Sequence, residues 1–340
     1  MAGDTTAPVN SLLPWHRPQW ERIRALRDAG RLPHALLLCG VPGMGKDRFA
    51  RLLAHALLCN SPAVDGLACG GCRACLLMRA GTHPDLYRCE PEEDKTFINV
   101  DQIRAIGHFL ELKAHYGGRK IVIIRPAEQM NISAANSLLK MLEEPPSGVH
   151  LVLISSRPAA LPATVRSRCQ RLVLAAPDRG PALDWLARQP GIGEGEVTAL
   201  LALAQGAPLA AVDLAAQGHL GRRRDMLKEL LSLARREGDP LQVAENWLKF
   251  DAKASLYWLH GWLVDMIRFQ VADPPPFLSN PDSTEPLSRL SSELKSPWLF
   301  EQLDRVAQAL RCLEGSVNAQ LLLEDTLLPW AERKTQASQR

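Results

Sequence analysis

Residues 40–47 read Gly40-Val41-Pro42-Gly43-Met44-Gly45-Lys46-Asp47. A loop of this kind holds a nucleotide phosphate by aiming backbone N–H groups at it, helped by the positive end of the helix that follows. Gly40, Gly43 and Gly45 allow the close backbone approach, and Lys46 neutralises β/γ-phosphate charge. The last position departs from the pattern: Asp47 stands where a magnesium-binding Ser or Thr hydroxyl belongs. A carboxylate there repels phosphate oxygens, and it ligates magnesium only without the usual geometry. Hydrolysis also needs acids after a later strand, to hold magnesium and orient the attacking water. The apolar run Ile121-Val122-Ile123-Ile124 ends instead in Arg125-Pro126, with Glu128 three residues beyond Arg125. These residues predict a nucleotide-binding scaffold without hydrolysis. Binding by the loop itself is weak or absent, and a retained packing turn is its simplest role.

A second group is built for a metal. Cys59-x9-Cys69-x2-Cys72-x2-Cys75 gathers four of the eight cysteines within seventeen residues. Four thiolates at such spacing can fold a loop around a tetrahedral zinc ion, and Gly70-Gly71 supplies the tight turn. Four ligands fill the shell, so the Zn2+ site is structural rather than catalytic. Cys39, Cys89, Cys169 and Cys312 read as buried small residues. Glu143 and Glu144 look like a carboxylate pair, but neighbours on a helix do not face one another, so they are not assigned chemistry.

These groups need elements to hold them. Ala35 to Cys39 is an apolar run suited to a buried parallel strand, and Asp47 to Leu58 reads as a helix. Strand, glycine loop and helix follow in the order a phosphate loop requires. Trp15 to Ala29 reads as an amphipathic helix with Trp20, Ile23 and Leu26 on one face. A second strand starts near His83 to Tyr87, and a helix spans Val100 to Leu112 with Asp101 as a first-turn acid. Lys120 to Ile124 and Val149 to Ile154 are further strands, around a helix from Ser133 to Leu142 that Pro145-Pro146 stops. Alternating strands and helices predict a parallel α/β sheet covered on both faces. After Leu174 the character changes. Ala175 to Pro181 reads as a hinge, then short helices with Gly-rich joints run to about residue 220, and from Arg222 onward only helical periodicity remains. The fold class is therefore α/β plus all-α, with domains at 1–175 (insert at 59–75), 176–220 and 221–340.

The bulk numbers fit a globular protein of two or three domains: 340 residues, 46% hydrophobic and 23% charged. A net charge of +3 excludes a chain that binds DNA by its overall field, while leaving room for a local basic strip. Arg222-Arg223-Arg224 is the candidate strip, and a solvated helix end is its simpler reading. Residues 1–10 are polar and include Asp4, and no apolar run approaches the roughly 18 residues of a membrane span. A cytoplasmic protein without a membrane segment is the expectation.

Five stretches together resemble one family. They are His34-Ala35-Leu36-Leu37-Leu38, the cysteine insert, Gly81-Thr82-His83-Pro84-Asp85, the run from Asn136 to Pro146 and Ser167-Arg168-Cys169. The combination resembles bacterial clamp-loader subunits of the AAA+ class, strongly over residues 30–175 and weakly beyond. The resemblance implies a RecA-like sheet domain with a zinc insert, a small helical lid and a helical collar for oligomerisation. Within the class the chain is similar to the subunit that has lost ATPase function while keeping Ser-Arg-Cys. It departs in retaining Lys46. The stretch Gly206-Ala207-Pro208-Leu209 lacks the sensing arginine of ATPase relatives.

The resemblance further implies that Arg168 is an arginine finger, reaching ATP bound by a neighbouring subunit. An ion pair inside its own domain is the plainer alternative, and Arg166 is the nearest competitor for the role. Ser167 and Cys169 would shape the turn. The implied partners are ATPase subunits of the gamma/tau kind, a clamp-opening delta subunit, the sliding clamp and primed DNA, in a hetero-oligomeric ring. The collar core would include Trp247, Trp258, Trp262, Leu263 and Ile267. A divergent subunit that hydrolyses its own ATP is the second reading, and a solitary zinc-dependent DNA-binding module the third.

Overall fold

A computed structural model describes residues 11–332 apart from 117, 314 and 316. The polar segment 1–10 and the outer ends of the first and last expected domains lie outside the described residues. The chain divides into two compact units between Asp178 and Arg179.

The first unit is a parallel sheet of β1 (Ala35–Cys39), β2 (Leu86–Cys89), β3 (Lys120–Ile124), β4 (Val149–Ser155) and β5 (Gln170–Val173), in the order β2-β3-β4-β1-β5. Its helices are α1 (Arg17–Asp28), α2 (Lys46–Leu58), α3 (Arg73–Arg79), α4 (Val100–Glu111), α5 (Ile132–Glu143) and α6 (Ala163–Arg166). The central strands are apolar on both faces because helices cover both. Leu36, Leu38, Ile121, Ile123, Val152 and Ile154 pack with Trp20 and Ile23 of α1 and Phe49 and Leu53 of α2. Leu37, Val122, Ile124, Leu151 and Leu153 pack with Ile103 and Ile106 of α4 and Leu138 and Leu142 of α5.

The expected helices and central strands are present, with ends moved by a residue or two. Two local features depart from the sequence reading. The second strand starts at Leu86, because His83 and Asp85 tie down the turn before it: Asp85 N donates to His83 Nδ1, and the buried Asp85 carboxylate accepts from His115 N and Tyr116 N at 2.9 and 2.8 Å. Strand β5 was not foreseen. It lies at the sheet edge, pairs β1 from Leu36↔Gln170 to Cys39↔Val173, and buries only Leu172.

The second unit is all helical: α7 (Arg179–Leu186), α8 (Val197–Leu203), α9 (Pro208–Ala216), α10 (His219–Ala234), α11 (Pro240–Phe250), α12 (Ala252–Val271), α13 (Thr284–Ser292), α14 (Ser296–Cys312) and α15 (Ala319–Glu332). Among its described residues it holds two hydrophobic clusters. One joins Ala182, Leu186, Leu200, Ala211 and Leu220, and a larger one forms around Trp247, Trp262, Leu263, Leu299, Leu327 and Trp330. Trp258 belongs to the larger cluster, and Ile267 packs against its edge half-buried. Among the described residues no single helix is long and apolar enough to cross a membrane.

The three-arginine run is not a solvated helix end, which corrects the simpler reading of 222–224. Arg223 is only 2% exposed, ion-paired to Asp282 at 2.5 Å, bonded to Asn280 and set over the Trp262 ring. A buried guanidinium is tolerable because these partners replace its water. Arg222 donates to Asn246 O, and Arg224 pairs with Glu196 at 3.2 Å.

Candidate functional site

The glycine loop hangs from the C-terminal end of β1, beside the point where strand order reverses, which is where open parallel sheets bind ligands. Gly40 is required by space: a Cβ there would strike the Leu174 carbonyl. Gly45 is required by conformation, since it caps α2 at φ +79°.

The loop is closed on itself. Lys46 is 7% exposed, and its Nζ donates to Gly40 O and Val41 O, each at 2.8 Å. Burial pulls its ammonium below the ordinary lysine range, with the Glu128 carboxylate opposing that shift. From outside, Trp15 Nε1 donates to Met44 O at 3.1 Å and His16 Nε2 to the same carbonyl at 2.7 Å. His16 must be neutral to sit there 1% exposed, and burial lowers its pKa to about 4. No sequence pattern pointed to this strap, because a side chain bonding a backbone carbonyl 28 residues away leaves no periodic signal.

Asp47, which stands where the loop pattern has a magnesium-binding hydroxyl, lies in an ion-paired cluster. Asp47 accepts from Arg51 at 2.6 Å and from Arg125 at 3.2 Å. Arg125 sits just past β3, where a metal-binding acid would be needed. Glu128 is not a substitute for that acid: its Oε1 accepts from Ser156 N and Arg157 N at 3.1 and 3.3 Å, holding the end of β4.

The four insert cysteines converge. Their Sγ atoms all lie within 4.8 Å of one another, with Cys59–Cys69 at 3.5 Å and Cys59–Cys72 and Cys69–Cys75 at 3.9 Å. A tetrahedral zinc with bonds of about 2.3 Å sets its sulfurs about 3.8 Å apart, so the group fits the ion. Backbone N–H groups of Cys69 and Cys72 donate to Cys59 Sγ and Cys69 Sγ, bonds that favour the thiolate, although burial outweighs this at Cys59 and raises its thiol. Helix α1 anchors the insert: Trp20 Nε1 donates to Asp65 O and Arg27 Nη1 to Gly66 O, both at 3.0 Å. Of the remaining cysteines, 39, 89 and 169 are buried and Cys312 is half-buried.

Arg168 lies at the opposite end of the sheet, just before the N-terminal end of β5, and the structure does not bring it to the glycine loop. Its Nη1 donates to Thr164 O at 3.0 Å, and its Nη2 pairs with Glu143 Oε1 at 2.5 Å. Ser167 Oγ also donates to Thr164 O, at 3.1 Å, while Cys169 is sunk in the core, so both flanking residues shape the turn. The ion pair within its own domain is thus present, and Arg168 still keeps 36% of its side chain exposed. Arg166, last in α6, is exposed. The Glu143 contact was invisible in sequence, where only the Glu143-Glu144 adjacency stood out.

With this geometry in view, known proteins are informative. Residues 15–178 match the family described as DNA polymerase III, delta subunit, and residues 217–332 match its C-terminal counterpart. The DNA polymerase III subunit delta' of Pseudomonas aeruginosa is 36% identical, over 94% of this chain and 97% of its own length. The same subunit of Escherichia coli K12 is 35% identical, over 93% and 94%. Among solved structures, a DNA polymerase III gamma subunit-related protein of Thermotoga maritima is similar in fold, with a TM-score of 0.53 and 19% identity over 92% of this chain and 99% of that one.

Proposed function

Because the chain belongs to the delta' family of DNA polymerase III subunits, we propose that it is a clamp-loader subunit that turns over no ATP itself and acts on a neighbour's ATP through Arg168. The observation that carries the first half is the Asp47–Arg125 ion pair. One partner removes the magnesium hydroxyl, the other removes the metal-binding acid, and together they fill the space with a cation that cannot polarise water. The self-closed Lys46 supports the same reading, since two of its three donors are already spent on Gly40 and Val41. The presence of Lys46 is the single feature favouring the alternative, a subunit that hydrolyses its own ATP.

The second half rests on chemistry. An arginine has permanent charge and a planar fork of donors, and it stabilises the charge spread over a transferring phosphoryl group. Supplied in trans, it is worth about 10³–10⁵ in rate. Arg168 is partly exposed on a short, well-tied turn, as such a role requires. The four insert cysteines would hold a structural Zn2+, whose part is to fix the fold of the insert. Residues 176–220 would act as the lid and 221–340 as the collar that joins neighbouring subunits, in line with the two separate clusters of the helical unit. Its partners would be gamma/tau-like ATPase subunits, the delta subunit and, through the assembled ring, the sliding clamp and primed DNA. A cytoplasmic location accompanies that role.

The test is ATP turnover by a reconstituted loader, with clamp and primed DNA present, carrying the wild-type chain or Arg168→Ala. A loss of at least a hundredfold in a normally assembled ring, with the isolated chain inactive, supports the reading. Unchanged turnover overturns the finger, and turnover by the isolated chain overturns the non-hydrolysing role.

A further inference from the structure

We propose that Glu143 is the positioning residue for Arg168, an inference that rests on the finger reading above. Glu143 is the last residue of α5, where the helix dipole is negative and a carboxylate is out of place. Local helix energetics do not call for it there. What it does is close the Arg168 contact: its Oε1 takes the Nη2 N–H at 2.5 Å, while Thr164 O takes one N–H from Nη1 at 3.0 Å.

Two anchors from two helices fix the plane of the guanidinium. An arginine side chain is rich in rotamers, and a finger that must find its geometry anew in each cycle loses rate. A guanidinium has five N–H donors. The two anchors use two of them, which leaves three for a phosphate. The pair is half-exposed, so solvent screens it and the guanidinium keeps most of its field. For the same reason the pair adds little to stability. Helix α5 is held by Ala134, Ala135, Leu138 and Leu142 in the core, not by its last residue.

The experiment is the same reconstituted loader, with Glu143→Ala, Glu143→Gln, Arg168→Ala and the Glu143→Ala/Arg168→Ala double variant. Glu143→Ala should lower kcat about tenfold with the KM for ATP unchanged, because the neighbour binds the nucleotide. Glu143→Gln keeps an acceptor oxygen and should restore most of that loss. In the Arg168→Ala background, Glu143→Ala should cost nothing more. The inference is overturned if Glu143→Ala leaves turnover unchanged or raises it while Arg168→Ala abolishes it, or if the two losses multiply. If Arg168→Ala itself has no effect, the finger reading falls and this inference falls with it, a result distinct from failure of Glu143 alone.

Discussion

Asp47 and Arg125 meet at 3.2 Å across the C-terminal end of the sheet. Each departs from the residue type that the phosphate-loop pattern sets at its position, and each makes the other tolerable. The carboxylate at the head of α2 would repel a phosphate, but it is shared between Arg125 and Arg51. The two departures from the pattern are therefore coupled in space, though 78 residues apart in the chain.

That coupling is measurable. Arg125→Asp should set a carboxylate against Asp47 and destabilise the first unit by about 1 kcal/mol. Adding Asp47→Thr should recover most of it, a non-additivity that urea midpoints resolve. Asp47→Thr alone should create no ATPase activity, because Arg125 still stands after β3 where an acid is needed to hold magnesium. Additive effects in this cycle would mean the pair is incidental.

Lys46→Ala should behave as a structural lesion rather than a catalytic one. It leaves the Gly40 and Val41 carbonyls without their donor, which costs about 1–3 kcal/mol in urea denaturation. Loader turnover with a folded Lys46→Ala chain should match wild type. A fall in turnover at unchanged stability would mean that this loop serves the cycle by binding nucleotide.

The cysteine cluster should carry one zinc per chain, lost on Cys72→Ser and on chelation. Metal analysis gives the stoichiometry, and protease sensitivity within 59–75 reports the loss of its fold. A chain that purifies metal-free and resists protease there would contradict the assignment.

Acid should weaken the first unit through His16. The unfolded chain takes up this proton near pH 6.5, whereas the buried, neutral imidazole resists until about pH 4. Its contribution is therefore full above pH 6.5 and drains away as the pH falls towards 4, amounting to about 2 kcal/mol at pH 5. His16→Gln should show a smaller drop in melting temperature between pH 7 and pH 5 than wild type. Parallel drops would assign the acid sensitivity elsewhere, with His55, also lowered to about 4 by burial, the next candidate.

Arg223→Ala should be among the most damaging changes in the helical unit. It strands Asp282 and Asn280 around an emptied site, at about 3–5 kcal/mol by calorimetry. Arg224→Ala, at the next residue but with its side chain exposed, should change stability by less than about 1 kcal/mol.

What could be read in advance follows from how each signal arises. Strands β1, β3 and β4 are buried on both faces and therefore appear as unbroken apolar runs. Strand β5 buries one residue in four and leaves no such trace. The start of α4 showed its acidic first turn, but the reciprocal Asn99–Gln102 box that caps it had to be seen in space. Cysteine spacing gave the metal cluster because its ligands are local. Arg223 misled because charge in a sequence suggests solvent, and only its partners reveal burial. The contacts that define the site, His16 to Met44, Asp47 to Arg125 and Glu143 to Arg168, join distant segments and have no periodicity to betray them.

The placement of Arg168 before β5 and of the glycine loop after β1 gives the first unit a polarity. The two strands run side by side in the same direction, so the arginine turn, before the start of β5, and the closed loop, after the end of β1, lie at opposite ends of the sheet. In the proposed ring, such a subunit would offer an arginine to a neighbour from one end and need none at the closed loop on the other. In a circle of subunits passing arginines in one direction, it would mark the place where the relay starts.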